Sequence, residues 1–397
     1  MKKDIYKILL FTAFFSISIG IFYNFQELFL SSNNISVSTI GKIYSLGSFA
    51  CVPAIFIFAN FIKQKNLKKA VCILLATSIL STISLYFLNN SGYVNAIRLL
   101  TAITYILHIE ILVCIYPLLC IIKKDDKLFS KKEITFTAFN YLGMYIATIF
   151  LHMVIFNKQV NYNTYVLWSI VISILALLVL YSTKLDKYFK KGTKSHSLIV
   201  STMKKASKDK ISIIYLLYAF LNVLSSKLLY GLSITVLTTS FFLEERFASL
   251  LRIFSGAGAS LLAALFLSFL TFKNNYLNIA IKFVSRIILL ILALTTDNYL
   301  ICLIAYLFPL ISGQIYSSIT DAPYVNRYSG DEQLSFSYFK DMVRYSGEAI
   351  GVYLCGILFI TGIKMNLLIA LILCFIQLIL AYIGLYFRNM EANNDRK

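Results

Sequence analysis

The chain has 397 residues, 59% of them hydrophobic and only 14% charged, with a mean hydropathy of +0.77. Soluble domains carry about 25% charged residues, so a water-soluble enzyme or nucleic-acid binder is excluded and an all-α polytopic membrane protein is expected. Basic residues exceed acidic ones by 37 to 18, which in such a chain points first to cytoplasmic loops rather than to nucleic acid.

Met1-Lys2-Lys3-Asp4 leads into an apolar run reaching about Leu30 with no small-residue cleavage site, which reads as a retained first span. In chain order the candidate spans are about 8–30, 39–61, 70–88, 94–122, 133–156, 164–183, 211–236, 247–272, 277–296, 299–324, 337–361 and 366–387. Lys282 and Arg286 interrupt the first half of the ninth. The one long connection, 184–210, carries nine lysines and divides the chain into a six-span bundle (1–183) and a second (211–397) with a short tail. Its apolar Leu198-Ile199-Val200 fits either a helix on the membrane surface or a plain solvated loop.

With the N-terminus inside, cytoplasmic segments hold 27 Lys and Arg, whereas the outer loops hold only Lys158, Arg246 and Lys364. That asymmetry places both termini in the cytoplasm, with the protein in the cell (inner) membrane. All seven cysteines fall inside apolar runs and read as small hydrophobes, neither a disulfide framework nor a metal site.

The two halves resemble each other. Lys42-Ile43-Tyr44-Ser45 in span 2 parallels Arg252-Ile253-Phe254-Ser255 in span 8, and Asn140-Tyr141-Leu142-Gly143 in span 5 parallels Arg344-Tyr345-Ser346-Gly347 in span 11. Together they favour a duplicated architecture of two pseudo-symmetric six-helix bundles. This layout and its basic linker resemble the major facilitator superfamily over essentially the whole chain. Ile35–Gly41 resembles that family's entry to helix 2, and Phe58–Lys69 occupies the place of its loop between helices 2 and 3, with Asn60 at the Asp position and the glycines absent. Ala96-Ile97-Arg98-Leu99-Leu100-Thr101-Ala102 is similar to its helix 4 motif, whose Arg is linked to proton coupling, and Tyr345–Gly351 is close to a common pattern of helix 11. The Gly-Pro signature of drug antiporters is missing, because Met144-Tyr145 follows Gly143.

A charge in the hydrocarbon core costs about 2.5–3.5 kcal/mol, so such residues default to function or pairing. Lys42 and Arg252 can snorkel to the outer surface and Lys282 and Arg286 to the inner one, while Arg344 and Glu348, one turn apart, can pair. Helical spacing collects the other polar residues into stripes. Span 1 aligns Thr12, Ser16, Gly20, Tyr23 and Glu27; span 4 aligns Arg98, Thr101, Tyr105 and His108. Span 7 aligns Tyr215, Tyr218, Asn222 and Ser225; span 10 aligns Tyr306, Gly313, Ser317, Thr320 and Tyr324. The family resemblance implies that these four helices surround a central substrate cavity. Interhelical hydrogen bonding is the structural alternative for the same hydroxyls.

Glu110 lies about 200° around the helix from His108, so the two do not converge on a metal. Glu27 and Lys227 have comparable depth and are expected to face each other across the outer half of the cavity, unless Glu27 already lies at the interface. Glu27, Glu110 and Glu348 are the acids available for coupling, with Arg98 and Lys227 as cationic partners. The expectation is a secondary transporter, not an enzyme, that moves a small organic or amphipathic solute by alternating access. Proton coupling and export are expected, with no cofactor or metal, and with a monomer whose partners are substrate, protons and lipid. A flippase for a lipid-linked glycan is the alternative, and a membrane-embedded transferase a remoter one.

Overall fold

The computed structural model describes residues 2–61, 66–89, 91–122, 143, 146, 162–184, 199–253, 275–296, 298–307, 324, 327–328, 330–359 and 362–394. Every regular element among the described residues is a helix, as a hydrocarbon surrounding requires when it offers the backbone no partner. Before the linker these are α1 (Lys2–Ser32), α2 (Val37–Phe61), α3 (Leu67–Leu88), α4 (Val94–Ile122) and α5 (Tyr162–Tyr181). Within the linker lies α6 (Ile199–Ala206), and from its end come α7 (Lys210–Tyr230), α8 (Ser233–Thr239), α9 (Glu245–Ile253), α10 (Asn275–Thr295), α11 (Gly330–Leu358) and α12 (Ile363–Asn394).

Eight described segments are long and apolar enough to cross a membrane: Asp4–Tyr23, Val37–Asn60, Leu67–Leu88, Val94–Cys114, Asn163–Tyr181, Lys210–Thr239, Tyr276–Thr295 and Ile363–Glu391. They correspond to expected spans 1, 2, 3, 4, 6, 7, 9 and 12. The eleventh is the 29-residue α11, which carries Asp331, Glu332, Lys340, Asp341, Arg344 and Glu348 and is correspondingly less apolar. Most of expected spans 5, 8 and 10 lies outside the described residues.

Local chemistry sets the helix ends. Between α1 and α2, Asn34 takes a left-handed φ of 59°, which Asn tolerates better than most residues. The Ser36 hydroxyl then accepts the Thr39 N–H at 3.4 Å. At the start of α7 the Asp209 carboxylate accepts the N–H groups of Ile211 and Ser212 at 3.3 and 3.2 Å, satisfying two otherwise orphaned donors.

The core falls into four clusters. One is built from α1, α3, α4 and α5 with Phe58 of α2, and two draw only on residues from Ala206 onward. The fourth joins both sides of the chain: Ile40, Ile43, Tyr44, Cys51 and Ile55 of α2 pack with Tyr338, Val352 and Cys355 of α11. Helices α2 and α11 thus run against each other along their length. Where α2 begins and α11 ends, their backbones nearly touch. A Cβ added at Gly41 would lie 3.0 Å from Gly356 Cα, and one at Gly356 would lie 3.1 Å from Gly41 Cα. The end of the molecule holding this contact and the α1–α2 turn is the far face; the opposite end is the linker face.

The linker segment Ile199–Ala206 is neither a solvated loop nor a helix lying on lipid alone. Ile199 is fully buried, and together with Met203 it packs into the cluster shared by α2 and α11. Lys205 holds Glu332 at 2.7 Å, a hydrogen bond that raises the ammonium above its ordinary range. Residues 185–198 lie outside the described ones.

Small residues also set the fit of α7 on α11. Gly347 and Gly351 are one turn apart, and Cβ atoms there would lie 2.5 Å from the Phe220 carbonyl and 2.6 Å from the Leu224 carbonyl. This is the close backbone approach that small residues at i, i+4 permit between membrane helices. Gly351→Leu is expected to force α7 away and lower stability by about 1–3 kcal/mol, read as a drop in thermal unfolding temperature in detergent. Replacing the exposed Ile350 on the same turn by Leu should leave that temperature unchanged.

Candidate functional site

The glycine contact brings the next residues of both helices together. Lys227 Nζ of α7 lies 2.6 Å from Glu348 Oε1 of α11, with the Lys side chain 36% exposed and the Glu side chain 9%. Across the junction between the two sides of the chain, the Tyr105 hydroxyl of α4 donates to the same Oε1. The Ser48 hydroxyl of α2 donates in turn to Tyr105 at 3.2 Å. A continuous polar path therefore runs Ser48–Tyr105–Glu348–Lys227 through four helices. Aromatic rings fix its geometry: Tyr44 stacks on Tyr105 at 5.6 Å, and Tyr23 meets Tyr105 edge-on at 5.5 Å.

A second polar contact crosses the junction toward the far face. Glu27, 1% exposed, receives the Thr235 N–H and hydroxyl at Oε2, both at 3.0 Å. Arg252 Nη1 approaches its Oε1 at 3.3 Å and the Tyr23 carbonyl at 3.4 Å. An α1 carboxylate is thus held by α8 and α9. Two donors and a guanidinium satisfy a group that would otherwise be costly to bury.

No protein-family model matches the sequence, and no curated protein sequence is detectably similar to it. Solved structures are similar to it in fold. The nucleoside transporter NupG superposes with a TM-score of 0.68 at 13% identity, covering 96% of this chain and 98% of that one. A single-residue variant of the E. coli fucose:proton symporter FucP gives 0.69 at 12%, with coverage of 96% and 98%. The human organic anion transporter MFSD10 gives 0.65 at 10%, with coverage of 96% and 99%. The chain has the major facilitator fold.

Within that fold the stripe residues have distinct surroundings. Tyr105 is part of the central path, and Tyr23 packs edge-on against it with its own hydroxyl unpartnered among the described residues. His108, 1% exposed, is ringed by Phe15, Phe22 and Tyr23 with centroids at 5.8, 5.4 and 5.7 Å, and its Nδ1 has no hydrogen-bond partner among the described residues. Thr101 is fully buried with its hydroxyl unpartnered among the described residues. Ser16 and Gly20 are buried, and Gly143 packs onto Ser16 so tightly that an added Cβ would lie 2.9 Å from the serine Cβ. Ser225 is buried, whereas Asn222 is half-buried with its Oδ1 unpartnered among the described residues. The Tyr306 hydroxyl donates to the Leu229 carbonyl at 2.6 Å and locks residues 299–307 onto the end of α7. Gly313 and Ser317 lie outside the described residues.

Several expected pairings are replaced by others. Glu27 does not face Lys227: it pairs with Arg252, and Lys227 pairs with Glu348. Arg252 is therefore held inward and does not snorkel, whereas Lys42 is exposed. Arg344 reaches Asp341 at 3.6 Å, not Glu348, because α11 turns Glu348 toward α7. Lys282 and Arg286 do not snorkel either: they are 0% and 2% exposed, since their face of α10 points into the bundle. Lys282 Nζ donates to the Tyr218 hydroxyl at 3.0 Å and lies 5.3 Å from the Phe283 ring centroid. Arg286 Nε and Nη1 have no partner among the described residues. Arg98, at the far-face end of α4, donates to Asn95 at 3.4 Å and pairs with no carboxylate among the described residues. Glu110 is 4% exposed with Oε1 unpartnered among the described residues.

Ser48, Tyr44 and Thr235 were not singled out from the sequence. Tyr44 appeared only as part of the span 2 repeat, and nothing in spacing distinguishes Ser48 or Thr235 from ordinary helix hydroxyls.

Arg252→Gln should cost more stability than Glu27→Gln, by about 2 kcal/mol, because only the first leaves a buried carboxylate without its cation. Thermal unfolding of both single variants and the double variant checks this, with the double expected to recover part of the Arg252→Gln loss.

Proposed function

We propose that the protein is a secondary transporter that moves a small organic solute by alternating access, with transport coupled to protons. The observation that carries this reading is the path Ser48–Tyr105–Glu348–Lys227. It places an acid, a base and a phenol where helices from the two sides of the chain meet. Rocking the sides apart must separate Tyr105 from Glu348. A proton on Glu348 would weaken the Lys227 pair, so protonation and reorientation act on the same contacts. The linker face, with its lysine-rich segment, is assigned to the cytoplasm. The major facilitator fold supports the reading, and the names of the similar proteins, a nucleoside transporter, a fucose:proton symporter and an organic anion transporter, set the range of solutes to try.

The test uses the purified chain in proteoliposomes containing a trapped pH dye, challenged with nucleosides, sugars, organic anions and amphipathic drugs under gradients of either sign. A solute that carries protons with it or exchanges for them supports the proposal, and the sign of the movement separates uptake from the export expected from the sequence. Glu348→Gln should retain downhill solute flux while losing at least about tenfold of the proton movement per solute. Solute flux in the native chain that ignores the pH gradient would overturn the coupling, and absence of flux throughout the panel would overturn the assignment to small organic solutes.

A further inference from the structure

The central pair contains a cation that is neither buried nor fully occupied. The Lys227 side chain is 36% exposed, and Glu348 Oε1 takes only one of its three ammonium donors. The carboxylate, 9% exposed, is tied down from the other side by Tyr105. The accessible member of the pair is thus the positive one, and the group it already holds is a carboxylate. A small molecule bearing a carboxylate would offer Lys227 the same chemistry as Glu348 does. Both anions cannot sit on one ammonium without an uncompensated negative charge in a low-dielectric site. A proton on Glu348 removes that conflict.

Glu348 is in direct contact with Lys227 on α7 and Tyr105 on α4, and lies within electrostatic reach of Tyr23 on α1, Cys51 on α2 and Tyr345 on its own helix. Lys227 is the one cation among these, and the rest are neutral groups with apolar bodies. Tyr44 and Tyr105, buried and stacked on each other, and the edge-on Tyr23 make the packing beside the pair aromatic and apolar rather than charged.

We infer that Lys227 is the anchor for a small monocarboxylate with an aromatic or apolar body, and that this ligand exchanges with Glu348 as Glu348 takes up one proton. The inference rests on the transport reading above and supplies its substrate class. The balance is simple. One O–H bond forms on Glu348, its ion pair with Lys227 breaks, and the ligand carboxylate takes the ammonium. On release the carboxylate leaves, the proton leaves Glu348, and the Lys227–Glu348 pair re-forms. Proton and anion are loaded together, which makes the process symport.

The experiment is equilibrium binding of radiolabelled benzoate to the purified full chain in detergent from about pH 8 to about pH 6, with benzamide as the uncharged probe of nearly the same shape. Benzoate affinity is expected to rise by about tenfold per pH unit, as linkage to one proton requires, while benzamide binding stays flat. Glu348→Gln should bind benzoate with no pH dependence, and Lys227→Gln should lose benzoate binding at every pH while keeping that of benzamide. The double variant, with both charges removed, should bind benzoate no better than Lys227→Gln, and its thermal unfolding reports whether the site still folds. Benzoate binding that is absent, or insensitive to pH in the native chain, or unchanged in Lys227→Gln, overturns the inference. Because binding is read without a gradient, solute flux together with charge-blind binding overturns only this inference. Binding as expected without any solute flux overturns the transport reading instead.

Discussion

A charge placed in hydrocarbon must find an opposite charge, a set of hydrogen-bond donors or a route to water, and the arrangement around the molecule's junction follows from that requirement. Glu27 collects Arg252 and two donors from Thr235. Glu348 collects Lys227 and Tyr105. Each contact joins residues that are far apart in sequence, so each is also a statement about which helices lie together. Glu27 ties α1 to α8 and α9, and Glu348 ties α11 to α4 as well as to α7.

What permits these contacts is the absence of side chains elsewhere. Gly347 and Gly351 let the α7 backbone come so close that Lys227 and Glu348 meet at 2.6 Å. Gly41 and Gly356 do the same for α2 and α11 at the far face. Apolar side chains cannot drive association strongly in lipid, because the lipid is equally apolar; close van der Waals fit and buried hydrogen bonds take their place. In this protein the glycines supply the fit and the ion pairs supply the specificity.

Much of this was legible in the sequence. A run of twenty apolar residues becomes a helix for the reason that makes it apolar, so the eight described membrane segments follow the hydropathy closely. The spacing that put Tyr23 on the stripe of Glu27, and Tyr105 on that of His108, found two members of the central aromatic cluster. Partner choice was not legible. Whether Glu27 meets Lys227 or Arg252 depends on helix crossing and on the short α8, neither of which periodicity encodes. The same holds for Lys282 and Arg286: position along α10 suggested an interfacial location, but the face they occupy turns them into the bundle. The docking of α6 was equally hidden, because Ile199 is apolar whether it meets lipid or Tyr338 and Val352 of α11.

The neutrality of the central pair has an electrical consequence. A membrane potential does about 2.3 kcal/mol of work per 100 mV on each elementary charge carried across. Lys227 and Glu348 sum to zero when paired, and under the proposed exchange they would remain balanced, with a proton on one and a carboxylate on the other. Movement of this cluster, empty or loaded, therefore displaces no net charge. Under the proposed exchange this cluster would respond to acidity while its own movement added no dependence on voltage.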